Sequence, residues 1–98
     1  MEKILEKKID WPVPRLQKKI DQHLTKLKKK YGRKEYKVAY RWDRSKRKLL
    51  MKSRYFTGEI DLHPGGISAW VDLPFLFRLF KGRIVAEVSK EIDEIVRV

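Results

Sequence analysis

The sequence predicts an α+β fold: an antiparallel meander of four to five strands with two amphipathic helices packed on one face, in the order (β)αββββα. Apolar residues recur at helical spacing from Pro14 to Tyr31. They then alternate with period two in four stretches between Tyr36 and Leu73, and return to helical spacing from Pro74 almost to the end. With 98 residues there is room for one hydrophobic core, so the chain reads as a single basic domain over 1–98.

Residues 3–11 alternate loosely, with Leu5, Ile9 and Trp11 on one side, and predict a short first strand. Pro12-Val13-Pro14 ends it, and proline suits a first helical turn, where its missing N–H is not needed. Leu16, Ile20, Leu24, Leu27 and Tyr31 form one stripe, with Lys18, Lys19, Lys26, Lys29 and Lys30 off it. Gly32 suits a left-handed cap, and the lysines before it complement the helix dipole.

Tyr36, Val38, Tyr40 and Trp42 alternate with Lys37, Ala39 and Arg41 as a half-buried strand, and Asp43-Arg44-Ser45-Lys46 is a polar turn. A strand near 47–54 points Leu49 and Met51 inward and Lys48, Lys52 and Arg54 outward. One over about 58–63 buries Ile60 and Leu62 and exposes Glu59, Asp61 and His63. Pro64-Gly65-Gly66 turns the chain, and the strand at 67–73 buries Ile67, Ala69, Val71 and Leu73 while exposing Ser68, Trp70 and Asp72.

A long helix starts near Pro74 with a stripe of Phe77, Phe80, Ile84, Val88, Ile92 and Ile95, and Lys81 inside the stripe has to snorkel to water. Its acids Glu87, Glu91, Asp93 and Glu94 crowd the C-terminal end, against the dipole, and pairing with the basic first half would offset this. Both helices need an apolar partner. The apolar sheet face is the only large one, which leaves the other sheet face open.

The net charge of +12 is unevenly spread. Residues 14–34 hold nine bases against Asp21, and 35–56 hold eight against Glu35 and Asp43, whereas 57–98 hold five bases against seven acids. A positive first half fits nucleic acid or another acidic partner, and a solubilising surface accounts for it equally well. The chain has no Cys, which removes disulfides, thiolate metal sites and a Cys nucleophile. No apolar run approaches the length of a membrane span, and the N-terminus does not read as a secretory signal, so a cytoplasmic location is expected.

Catalysis finds little support. His23 and His63 have no metal-ligand spacing, Ser68 has no histidine in reach that an acid also orients, and Pro64-Gly65-Gly66 lacks the residues of a phosphate loop. No cofactor or metal is expected. Glu59 and Asp61 share one strand face beside bases and read as ion-pair partners.

The candidates for anion or nucleic-acid contact are Lys26, Lys28, Lys29, Lys30, Arg33 and Lys34 at the end of the first helix. The open sheet face adds Lys37, Arg41, Lys48, Lys52, Arg54 and Trp70, which combine charge for phosphates with a ring for stacking. Cross-strand ion pairs explain much of the same pattern.

Phe75, Leu76 and Leu79 fall off the buried stripe at the start of the last helix. An exposed apolar turn marks a homodimer contact, a partner site or a wedge into a hydrophobic surface, and extra core beneath the N-terminal segment is the alternative.

Tyr40-Arg41-Trp42-Asp43, Lys48-Leu49-Leu50-Met51, Thr57-Gly58-Glu59-Ile60, Val71-Asp72-Leu73-Pro74-Phe75-Leu76 and Phe80-Lys81-Gly82-Arg83-Ile84, with the helix ending at Tyr31-Gly32, resemble the polyhydroxyalkanoic acid system family over roughly residues 14–96. These are small bacterial proteins often encoded near polyester-granule genes. The chain departs from them in its basic charge and in Trp11-Pro12-Val13-Pro14. The resemblance implies a non-enzymatic accessory, granule-associated or regulatory protein, with no catalytic residues to carry over. A hydrophobic granule surface or a granule protein is then the expected partner. Phe75, Leu76 and Leu79 would meet it, and the lysines would face anionic material around it.

Overall fold

The computed structural model describes residues 1–32, 37–45 and 47–97, with the backbone alone for 75–77. The elements run β1 (Glu2–Lys8), α1 (Val13–Tyr31), β2 (Ala39–Trp42), β3 (Lys48–Lys52), β4 (Thr57–His63), β5 (Gly66–Asp72), a 3-10 helix (Phe75–Phe80) and α2 (Lys81–Val96). The strands form one antiparallel sheet in the order β1-β5-β4-β3-β2. This is the expected α+β meander with its N-terminal strand added beside β5.

Alternation decides which side of the sheet carries the core. Leu49, Ile60, Leu62, Ile67 and Ala69 point to one side and pack with Leu16, Ile20, Leu24 and Leu27 of α1 and Ile92 and Ile95 of α2. Both helices therefore cover the same face. At the β1 edge the register slips between Lys3 and Leu5. The extra residue lets Lys3 face outward over the Trp70 ring, 5.8 Å from its centre, while the next residues, Ile4 and Leu5, pack against the core.

Several boundaries differ from expectation, each for a local reason. Lys37 does not join a strand: it takes a positive φ of 48°, and the next amide, of Val38, donates to the Tyr31 carbonyl at 3.1 Å, folding the chain back onto α1. Tyr36, expected to open that strand, lies outside the described residues. Arg54 lies past the end of β3, because the Ser53 amide donates to the Phe56 carbonyl at 2.9 Å and closes a turn there. Gly32 caps α1 at φ −81°, not left-handed, and its amide donates to the Lys28 carbonyl at 2.9 Å. Glycine is needed there for space, since a Cβ would run into that carbonyl oxygen.

The expected single helix from Pro74 is two. A tight 3-10 helix covers Phe75–Phe80, and α2 begins only at Lys81, whose amide bonds back to the Arg78 carbonyl. The run Phe75–Phe80 is apolar at every position but Arg78, so it has no one face to bury and no period to hold a regular α-helix there.

The β4–β5 turn has Gly65 at φ 91°, as the Pro64-Gly65-Gly66 run requires. Beside it, a Cβ on Gly66 would overlap the Lys7 carbonyl oxygen of the paired β1 strand. Gly66→Ala should therefore push β1 off the sheet and lower stability by about 2 kcal/mol, the usual cost of forcing atoms into packed space, as read by chemical denaturation.

Candidate functional site

The layer between α1 and α2 holds the densest polar arrangement among the described residues. Glu91 of α2 is only 6% exposed. Its carboxylate accepts from Lys30 Nζ at 2.6 Å and Tyr31 Oη at 3.1 Å, and lies 3.1 Å from His23 Nε2. Tyr31 also donates to Glu87 at 2.8 Å, and Lys26 to Glu94 at 3.2 Å. The acids that crowd the end of α2 thus meet the bases of α1, as their dipole problem requires. Lys7 pairs with Asp93 and Lys81 with Glu2, which takes Lys81 out of the apolar stripe.

Burial pushes the Glu91 carboxyl up, but hydrogen bonds from Lys30, His23 and Tyr31 outweigh it and hold it below the usual carboxylate range. The same bond holds Lys30 above the ordinary ammonium range. Burial and the two carboxylates push the Tyr31 phenol far up, and burial, with the Glu91 charge adding, pushes Tyr40 up to about 12.

Glu94 and Glu91 sit one turn apart, and with His23 they bring ligand atoms within 4.8 Å of one another. Sequence spacing gave no sign of this group, because His23 is 68 residues from Glu91. Lys30 and Lys26 already hold the two carboxylates, so the arrangement works as a helix clamp.

Beside the clamp lies a cavity of about 600 Å³ among the sheet, α1 and α2, lined on α2 from Arg83 to Ile95. The helix is not seated evenly. Ile92 and Ile95 are buried, whereas Ile84 and Val88, on the same stripe, are only half-buried. Met51, Ile60, Val71, Ile84 and Val88 line the cavity. Lys30, Tyr31, Arg83, Glu87 and Glu91 supply its polar groups, and their hydrogen bonds join most of them into one strip along its edge.

The segment joining β5 to α2 carries apolar surface outward. Leu79 is 94% exposed and Phe80 50%. Phe80 was expected in the buried stripe, but it sits where the 3-10 helix passes into α2 and faces half to solvent. The side chains of Phe75 and Leu76, expected alongside Leu79, lie outside the description.

The basic residues do not make one surface. Lys28 and Lys29 are exposed on α1, while Arg41, Lys48 and Lys52 lie on the opposite, outward face of the sheet. Lys26 and Lys30 pair with α2, and Lys48 lies 3.8 Å from Glu59. Lys37 and Arg54 stand in connections, and Arg33 and Lys34 lie outside the described residues. Trp70 does face outward, in a cross-strand row with Lys3, Glu59, Leu50 and Arg41.

Glu59 and Asp61 are less ion-paired than expected. The Asp61 carboxylate, with burial adding, raises the Glu59 carboxyl above its usual range. Asp61 Oδ1 is buried and takes no hydrogen bond among the described residues. His63 does reach Ser68, at 3.1 Å, but its other ring nitrogen faces the Pro64 carbonyl rather than an acid, and Ser68 is only 5% exposed.

A family model described as polyhydroxyalkanoic acid system proteins matches residues 5–96. The chain belongs to this family. No curated protein and no solved structure matches it. The match takes in both helices and all of the sheet but the first three residues of β1, so the clamp, the cavity and the exposed Leu79 and Phe80 all lie within the polyhydroxyalkanoic acid system region. Among the described residues no helix is long and apolar enough to cross a membrane.

Two substitutions separate the acid groups. Glu91→Gln leaves Lys30 without its counter-charge and should cost about 2 kcal/mol at neutral pH, less than a fully buried pair because the Lys30 side chain is 37% exposed. Glu91 titrates below its unfolded value, so its contribution is present above about pH 4.5 and is lost as pH falls through the folded-state value. The gap between wild type and Gln should therefore close in acid. Glu59 has the opposite sign: its raised value favours the fold in acid and opposes it once pH rises through that value. Glu59→Gln should be neutral or stabilising at pH 7, and denaturation across pH reads both.

Proposed function

We propose that the chain is a non-enzymatic accessory protein of the polyhydroxyalkanoate system that attaches to the hydrophobic polyester granule through the segment between β5 and α2. The exposure of Leu79, at 94%, is the observation that carries this reading. A leucine held almost wholly in water, next to a half-exposed Phe80, is costly unless a partner covers it. Family membership supports the polyester as that partner. The exposed Lys28 and Lys29 would then face anionic material around the granule.

A second reading is a basic nucleic-acid- or ribosome-associated protein, favoured by the outward row of Arg41, Trp70 and Lys3. The two differ in salt dependence, since phosphate contacts weaken steeply with added salt and apolar attachment does not.

Co-sedimentation of the nuclease-treated protein with polyester granules tests the choice. Pelleting should resist high salt. Leu79→Ser should weaken it about thirtyfold, as expected when about 2 kcal/mol of leucine burial is lost. Salt-sensitive pelleting, or a folded Leu79→Ser protein that pellets as wild type does, would contradict granule attachment through this segment.

A further inference from the structure

We infer that His23 of α1 and Glu91 and Glu94 of α2 form a divalent-metal site, best suited to zinc, at the edge of the helix clamp. One ligand atom from each residue lies within 4.8 Å of the other two. Glu91 and Glu94 are three residues apart on α2, so both carboxylates lie on the face turned to α1, where they meet His23, Lys26 and Lys30.

The two oxygens of Glu91 are turned to different tasks. Oε1 accepts from Lys30 and Tyr31, which is the clamp proper. Oε2 is turned to His23 Nε2, at 3.1 Å. Zinc bonds of about 2.0–2.2 Å at tetrahedral angles set neighbouring ligand atoms about 3.4 Å apart, so this pair already stands near the spacing that a shared ion needs. The ion takes the Nε2 lone pair, any proton on that nitrogen goes to water, and Lys30 and Tyr31 keep their bonds to Oε1.

Glu94 completes the set. Its Oε2 accepts from Lys26 Nζ at 3.2 Å, but the Lys26 side chain is 62% exposed, and a pair so open to water holds weakly. Lys26 swings into solvent and yields the carboxylate, which then moves in by no more than about 1.4 Å to reach the spacing of a shared ion. One imidazole nitrogen with two carboxylate oxygens suits zinc, whereas magnesium and calcium favour sites built wholly of oxygen. Three protein ligands leave the fourth position to water, on the half-buried Glu94 side rather than toward buried Glu91. Lys30 stays beside the ion, and its like charge keeps the affinity micromolar rather than nanomolar.

This site does not depend on granule attachment. Calorimetric titration of the untagged, chelator-treated whole protein with zinc chloride tests it. One zinc per chain is expected, and zinc should raise the midpoint of thermal unfolding, because an ion that binds the folded chain stabilises it. His23→Gln and Glu94→Gln should each weaken binding by about tenfold or more. His63→Gln should bind as wild type. Lys26→Gln should tighten binding about twofold to fivefold, the worth of an exposed ion pair. Absence of saturable binding up to millimolar zinc would overturn the proposal, as would unchanged affinity in folded His23→Gln and Glu94→Gln proteins. Loss of binding in His63→Gln, equal affinity for magnesium, or a Lys26→Gln protein that binds zinc no tighter would also overturn it.

Discussion

A carboxylate taken out of water must find donors or give up its charge, and the seating of α2 follows from how Glu91 meets that requirement. Its donors come from the last three turns of α1: His23, Lys30 and Tyr31. The contact settles two electrostatic problems together. α1 ends in Lys28, Lys29 and Lys30, a run that repels itself, and α2 gathers acids toward the end where its dipole disfavours them. Laying one end along the other brings the opposite charges together, and the apolar stripes beneath, Leu24 and Leu27 against Ile92 and Ile95, are buried by the same contact.

What this clamp holds, it holds at one end only. Toward the 3-10 segment the helix's inward residues Ile84 and Val88 are half-buried. The cavity and the exposed Leu79–Phe80 surface both border this half of α2.

Much of the architecture was legible because period and charge leave separate traces. Alternation located four strands to within two or three residues at most ends, and the acid-rich end of α2 announced that it needed bases. The failures share a cause: they depend on contacts distant in sequence or on backbone bonds that no side-chain pattern encodes. Lys37 was placed on a strand by its neighbours' alternation, whereas the bond from the Val38 amide to the Tyr31 carbonyl takes it off. The near-continuous apolar run at Phe75–Phe80 carries no period, so helix type could not be read there. His23 against Glu91 and His63 against Ser68 are tertiary contacts, and the cavity is an absence of packing, for which a sequence has no symbol.

Amide hydrogen exchange along α2 addresses the uneven seating most directly. The clamp account predicts strong protection from Glu91 to Val96 and markedly faster exchange from Lys81 to Val88, with the contrast reduced when Glu91 is replaced by Gln. Uniform protection over the whole helix, or protection that is strongest in its first two turns, would contradict it.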